Sequence, residues 1–368
     1  MGSVDLPSSV LSHAWQVAAA IERRIRELGG RAVRVDADEI ITGRAALLGL
    51  PAPGRISAGG ASRLLAAADG WCAFTLSRPE DYEALPALLE SSGLGDDPWG
   101  CLAAGVAARP AAELVARARL LDMPAAVLGE IPVSEPKVEP HNAPASRPIT
   151  DLLVADLSSM WAGPLCGRLL AAAGATVVKL ETPNRPDGTR SGHRGFFDWL
   201  NAEKLCYSGD FRRLLQAADV VIEGSRPSAL ARRGLAAEQV PARPGRIWLR
   251  LSGYGSAYPE RVAFGDDAAV AGGLVTSEDD GPLFCGDAIA DPLSGLAATA
   301  AVLDALAAGG GVVVDMSMGA VAAVYAALPA DDVTCCGYRP PVVTAHAHEV
   351  GADNARVREM IESRLVAC

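Results

Sequence analysis

The stretch DLLVADLSSMWAGPLCGRLLAAAGATVVKLE, residues 151–181, decides the fold. Leu152–Leu157 reads as an apolar strand, of the kind needed where both faces of a sheet are covered. A helix over Pro164–Ala173 follows, with proline in its first turn and Gly174 as its stop. Thr176–Leu180 is the next strand and ends in Glu181. Further along, the alternation continues: helix Phe211–Ala217, strand Val220–Ile222, helix Pro227–Arg233 and strand Ile247–Leu251. Then come the long apolar helix Leu296–Leu306 and the strand Val312–Asp315, which follows Gly309-Gly310-Gly311. Apolar strands separated by amphipathic helices predict an α/β fold with a Rossmann-like parallel sheet covered on both faces.

Upstream, Pro132-Val133-Ser134-Glu135-Pro136-Lys137-Val138-Glu139-Pro140 runs on to Pro148. Prolines alternating with polar residues predict an extended linker. Before it lie a helix around Val10–Leu28, a turn-rich stretch Pro51–Gly60, a strand Trp71–Leu76, a helix from Pro79 and a helix Ala111–Leu121. These predict a second, smaller α+β domain. The expected division is therefore a small domain over 1–131, a Pro-rich linker over 132–148 and the catalytic α/β domain over 149–330. An irregular tail over 331–368 closes with a helix Asn354–Leu365.

The 368 residues are half hydrophobic and carry a net charge of -11, which argues against nucleic acid as the main partner. No apolar stretch is long enough for a membrane span. Met1-Gly2-Ser3-Val4-Asp5 lacks a basic n-region, so no signal peptide is expected. The cysteines stand at 72, 101, 166, 206, 285, 335, 336 and 368 without a CxxC pair. They predict reduced thiols in a cytoplasmic protein, not a disulfide framework or a zinc site.

For chemistry, the run Gly286-Asp287-Ala288-Ile289-Ala290-Asp291-Pro292-Leu293-Ser294-Gly295 is the richest. It places Asp291 where an apolar loop becomes a helix, beside the positive end of the macrodipole. Such a carboxylate is either an ordinary helix cap or a nucleophile. Between the first strand and its helix, Ser158-Ser159-Met160-Trp161-Ala162-Gly163-Pro164 is not GxGxxG, which removes a dinucleotide reading with Glu181 on a ribose. That turn still presents backbone amides at a helix start. Trp161 either walls a pocket or is a buried structural side chain. His346-Ala347-His348-Glu349 lacks a third ligand on a defined element, and no metal is expected.

Read in order, these motifs resemble the class III CoA-transferases, the family that includes formyl-CoA and carnitine CoA-transferases, with α-methylacyl-CoA racemases as relatives. The resemblance runs from Asp156-Leu157 through Ala162-Gly163-Pro164 and Gly174–Glu181. It continues with Asp219–Pro227, Leu251-Ser252-Gly253-Tyr254-Gly255, Ala290-Asp291…Gly295 and Gly311…Val314-Asp315-Met316-Ser317. It implies Asp291 as nucleophile, attacking an acyl-CoA thioester and passing CoA to a small carboxylic acid. It also implies coenzyme A as the bound substrate moiety, oxyanion donors from Cys285-Gly286 or Gly309–Gly311, and an interlocked homodimer. Trp161, Ala162, Gly163, Lys179, Arg190, Arg226, Gly253 and Tyr254 fall on positions that the resemblance places against CoA and substrate.

Two departures accompany it. Arg55-Ile56-Ser57…Leu64-Leu65…Asp69–Phe74 and Leu121–Val127 resemble the opening and closing of the family's small domain, yet stand ahead of the α/β half. In Gly265-Asp266-Asp267, Asp266 occupies the place of the racemase histidine, which removes one partner of a two-base proton transfer. Asp266 and Asp267 are then either substitute bases or exposed helix caps.

Overall fold

The computed structural model describes residues 2–329 and 332–366, so Asp331 and Cys368 lie outside the described residues. A seven-stranded sheet runs in the order Lys137–Pro140, Val312–Ser317, Ile247–Ser252, Val220–Glu223, Leu153–Asp156, Thr176–Leu180, Leu205–Tyr207. All neighbours are parallel except the first pair. The apolar strands have the expected cause. Val154, Val177, Ile222 and Leu249 enter one core, while Leu153, Ala155, Val178, Val221 and Trp248 enter a second. Successive side chains point to opposite faces, so a strand buried on both must be apolar throughout.

The stretch expected as a free linker joins this sheet. Lys137–Pro140 pairs antiparallel with Val312–Asp315 and stays exposed at the edge, the one place in a sheet that tolerates flanking prolines. Beyond it the chain is tied to the glycine run. The amides of His141 and Asn142 donate to the Gly311 carbonyl at 2.8 and 2.9 Å, and that of Ala145 to Gly309 at 2.8 Å. Gly309–Gly311 all have positive φ, and a side chain at Gly310 or Gly311 would strike neighbouring backbone. This run is a structural turn and does not line the cavity described below.

The first 131 residues divide in a way their sequence does not show. Ser8–Glu27 presents Val10, Ala14, Ala18, Ile21 and Ile25 at helical spacing. That stripe packs into the main core with Leu293 and Leu296 of the helix Ala290–Ala307. A second helix, Ala37–Leu48, is capped by Asp36 on the Glu39 amide at 3.1 Å and ended by Gly49 in the left-handed region. It adds Ile40 and Ile41 to the same core. Ser3–Pro7 pairs antiparallel with Val333–Gly337 from the tail. A separate small sheet is built by Ser62–Ala67, Gly70–Thr75 and Ala125–Val127, with its own core around Phe74, Leu85, Leu102 and Leu114.

Candidate active site

A cavity of about 610 Å³ opens at the carboxyl ends of the parallel strands, where open α/β sheets bind ligands. Three helix starts and the small sheet enclose it. Asp291 lies on its wall in the first turn of Ala290–Ala307. The chain reaches that turn through Gly286 and Ala288, both at positive φ, and the Asp291 amide donates to the Ala288 carbonyl at 2.9 Å. The start of Ala162–Ala172 lies on the same cavity wall, and the Ala162 N–H acts to lower the Asp291 carboxyl. Gly265, at the start of Gly265–Ala271, packs against the same carboxylate so closely that a side chain there would strike Oδ2.

Burial pushes the Asp291 carboxyl up to about 7, opposed by the Arg44 cation and the Ala162 N–H and reinforced by the negative charges of Asp266 and Asp287. Asp266 also lines the cavity, and burial beside Asp287 raises it to about 6. Its Oδ2 accepts the Ser62 hydroxyl at 2.8 Å and its Oδ1 the Ala288 amide at 3.1 Å. Asp267 caps its helix on the Phe264 amide at 2.8 Å, but it is buried, contrary to the exposed cap the sequence suggested. Burial lifts it to about 7, and it accepts the Tyr254 hydroxyl at 3.1 Å.

The structure brings Trp161, Ala162, Gly163 and Gly253 to the cavity with Asp291. Trp161 is both wall and core: it is 2% exposed and packs edge-on against Phe196 at 5.4 Å between centroids. Other expected contacts lie elsewhere. Gly286 faces Ile289 and Leu6, behind the wall. Tyr254 lines a second cavity of about 700 Å³ between the N-terminal helix and the tail of the sheet.

The expected cations are engaged by the protein itself. Lys179 is fully buried, bonding Asp187 at 2.8 Å and the Ser158 carbonyl at 3.0 Å. It therefore supports the Ser158–Gly163 turn from beneath, where Met160 has φ 73. Arg190 forks onto Glu181 at 2.9 and 2.7 Å and covers the Phe197 ring. Arg226 pairs with Asp122 at 2.8 Å at the surface. The arginines that do line the cavity are Arg44 and Arg78, with Ser57, Ser62 and Thr75 beside them. Sequence reasoning missed these because each lies in ordinary helix, strand or loop sequence more than 180 residues from Asp291. In the tail, His346 bonds Asp198 and His348 bonds Asp353, and no group of three metal-ligating side chains occurs among the described residues.

CoA-transferase family III matches residues 149–341, just over half of the chain. The chain is 33% identical over 198 residues to a succinyl-CoA–D-citramalate CoA-transferase of Chloroflexus aurantiacus, covering 47% of this chain and 49% of that one. It is 31% identical over 233 residues to a succinate–glutarate CoA-transferase of Agrobacterium fabrum, covering 55% and 58%. A formyl-CoA:oxalate CoA-transferase of Escherichia coli is 28% identical over 183 residues, 44% of each chain. Among solved structures, a CAIB/BAIF family protein from Brucella suis aligns with TM-score 0.45 and 29% identity over 50% of this chain and 56% of that one. The chain thus spans about half the length of the curated relatives it matches. On the family match and the order of its motifs, this chain belongs to CoA-transferase family III.

Proposed function

We propose that this protein is a CoA-transferase that moves CoA from an acyl-CoA thioester to a small carboxylic acid, with Asp291 as the nucleophile. One observation carries the reading. The Asp291 carboxylate stands in a cavity wall at a helix start, with the start of Ala162–Ala172 on the same wall. A carboxylate oxygen attacks the thioester carbon, the C–S bond breaks, and CoA leaves as thiolate, giving an aspartyl–acyl anhydride. The thiolate then attacks the aspartyl carbonyl, releasing the donor acid and leaving an aspartyl-CoA thioester. The acceptor carboxylate attacks that thioester and expels the thiolate, which then captures the acceptor acyl group and frees Asp291. One difficult exchange becomes several easier ones. Backbone amides at the helix starts suit the developing oxyanions.

Trp161, Gly163 and Gly253 would flank the thioester, as cavity-lining residues beside Asp291. Arg226, at the surface, is the expected cation best placed to leave its partner for a CoA phosphate; Lys179 and Arg190 would act through the loops they hold. The relatives' names support acyl-CoA and carboxylic acid as the substrate classes. Free thiols at Cys72, Cys166, Cys206, Cys285 and Cys336 fit a cytoplasmic setting. A homodimer is the assembly the family resemblance implies.

A second reading has its own support: Asp266 and Asp291 share a cavity and both titrate near neutrality, as a proton-transfer pair on an acyl-CoA would. Intact-protein mass spectrometry after mixing with acyl-CoA thioesters, beside Asp291→Asn, tests the main reading. A hydroxylamine-sensitive mass gain that vanishes in the variant supports transfer. Solvent deuterium entering the α-carbon without any adduct supports proton chemistry. CoA binding with neither would leave an acyl-CoA-binding protein without catalysis.

A further inference from the structure

The main cavity takes two arginines from the first third of the chain, outside the region 149–341 that the family matches. Arg78 is committed: its Nε and Nη2 fork onto Asp81, and Nη2 also donates to the Asp122 carbonyl at 2.7 Å. Arg44, from the helix Ala37–Leu48, is engaged on one side only. Its Nη1 donates to Asp287 Oδ1 at 2.5 Å, and Asp287 lies behind the cavity wall. Among the described residues, its Nε and Nη2 have no hydrogen-bond partner. Gly59, another lining residue, brings no side chain to cover Nη2; a Cβ there would stand 3.7 Å from it. The Arg44 side chain keeps 25% exposure against 4% for that of Asp287, so its open edge belongs to the cavity.

That edge is held in place. The guanidinium carbon stands 5.9 Å from the Trp161 ring centroid and 5.7 Å from that of Phe196, and both rings are buried. Nε–H and Nη2–H lie side by side in the guanidinium plane, the fork that grips both oxygens of a carboxylate. Rings and Asp287 fix this fork before a ligand arrives, which lowers the cost of binding. Asp287 precedes Asp291 on the same turn, and Arg44 and Asp291 line one cavity. A molecule that reacts at Asp291 with one end can therefore set an anion on Arg44 with the other.

We propose that Arg44 is a specificity-determining residue: its open edge binds a second carboxylate of the acid exchanged, remote from the carbonyl that reacts at Asp291. The substrates are then dicarboxylic acids and their mono-thioesters with CoA. An acid ending in a methyl group would leave the fork unpaired beneath it, which selects against fatty acids. The N-terminal segment thus sets which acid the C-terminal nucleophile meets.

This inference rests on the transferase reading, and its test needs no turnover. Matched thioesters, succinyl-CoA with butanoyl-CoA and glutaryl-CoA with pentanoyl-CoA, are titrated calorimetrically into the Asp291→Asn protein, with CoA itself beside them. In at least one pair the carboxylate-bearing thioester should bind on the order of tenfold more tightly. Adding Arg44→Met should remove that preference and leave CoA and the methyl-ended thioesters unchanged; Arg44→Lys should keep part of it. Should Arg44→Met fail to fold, the variant that also carries Asp287→Asn relieves the stranded carboxylate and carries the same expectation. Equal affinities within both pairs, or a preference that survives loss of Arg44, would overturn the inference. Equal weakening of every ligand, CoA included, would assign Arg44 to a CoA phosphate or to the fold and overturn it too. A preference lost with Arg44, in a protein whose intact Asp291 forms no adduct, would sink the transferase reading and keep this carboxylate site. An adduct without any preference would do the reverse.

Discussion

Ser62 donates its hydroxyl hydrogen to Oδ2 of Asp266 across 2.8 Å, joining residues 204 positions apart in the chain. Ser62 belongs to the small antiparallel sheet and Asp266 to the start of the helix Gly265–Ala271. Oδ1 of the same Asp266 holds the Ala288 amide at 3.1 Å, three residues before Asp291. One carboxylate thus links the small sheet to the loop that delivers the candidate nucleophile.

Asp266→Asn should accelerate acylation of Asp291 between about pH 6, where Asp266 takes on its charge, and about pH 7. Its negative charge raises the Asp291 carboxyl, so removing it lowers the midpoint and enlarges the ionised fraction below pH 7. Adduct formation followed by mass spectrometry from pH 5 to 8 checks this, and a rate–pH midpoint displaced upward would contradict it. In the parent protein the same rate should climb as pH rises through about 7.

Asp291→Asn should stabilise the protein at alkaline pH and leave it unchanged near pH 4. The folded carboxyl titrates near 7, above the ~3.9 of an unfolded chain, so between these values the folded state binds the extra proton. Stability from this group is therefore present below about pH 4 and lost as pH rises towards 7. The gain at pH 8 should be on the order of a few kcal/mol, read as thermal midpoints of both proteins across pH.

Gly265→Ala should cripple chemistry without unfolding the chain. Its backbone suits any residue, but the added methyl would meet Asp291 Oδ2 and the Ala288 carbonyl. Displacing a reacting group by about 1 Å costs on the order of 100-fold in rate. Circular dichroism should be unchanged while adduct formation slows; a near-normal rate would show that the carboxylate has room to move.

Lys179→Met should act on stability before it acts on CoA affinity. It strands Asp187, whose oxygens also hold the Met160 and Thr189 amides at 3.3 and 3.0 Å. Losing one partner of a buried ion pair costs about 3–5 kcal/mol. Urea unfolding should show that loss, reduced in the double variant with Asp187→Asn. A variant of normal stability with weakened CoA binding would instead make Lys179 a ligand contact.

How much was legible follows from where each signal lives. Leu153–Asp156, Thr176–Leu180 and Val220–Glu223 are apolar because both of their faces are buried, and that composition is written in the residues themselves. Asp291 at a helix start beside Pro292 is equally local. The helix Ser8–Glu27 shows its apolar stripe in sequence, but not that the stripe belongs on Ala290–Ala307, some 270 residues away. Lys137–Pro140 looked like linker because an edge strand needs little apolar character of its own.

The sequence alone determined the α/β alternation, the candidate nucleophile and the family resemblance, since periodicity and short ordered motifs are properties of neighbouring residues. Only the tertiary structure decided which charges meet Asp291. Lys179 and Arg190 turned inward to Asp187 and Glu181, whereas Arg44, in an unremarkable helix, came to the cavity wall. Burial and Coulomb interactions depend on distance through space, and chain folding sets that distance independently of separation along the sequence.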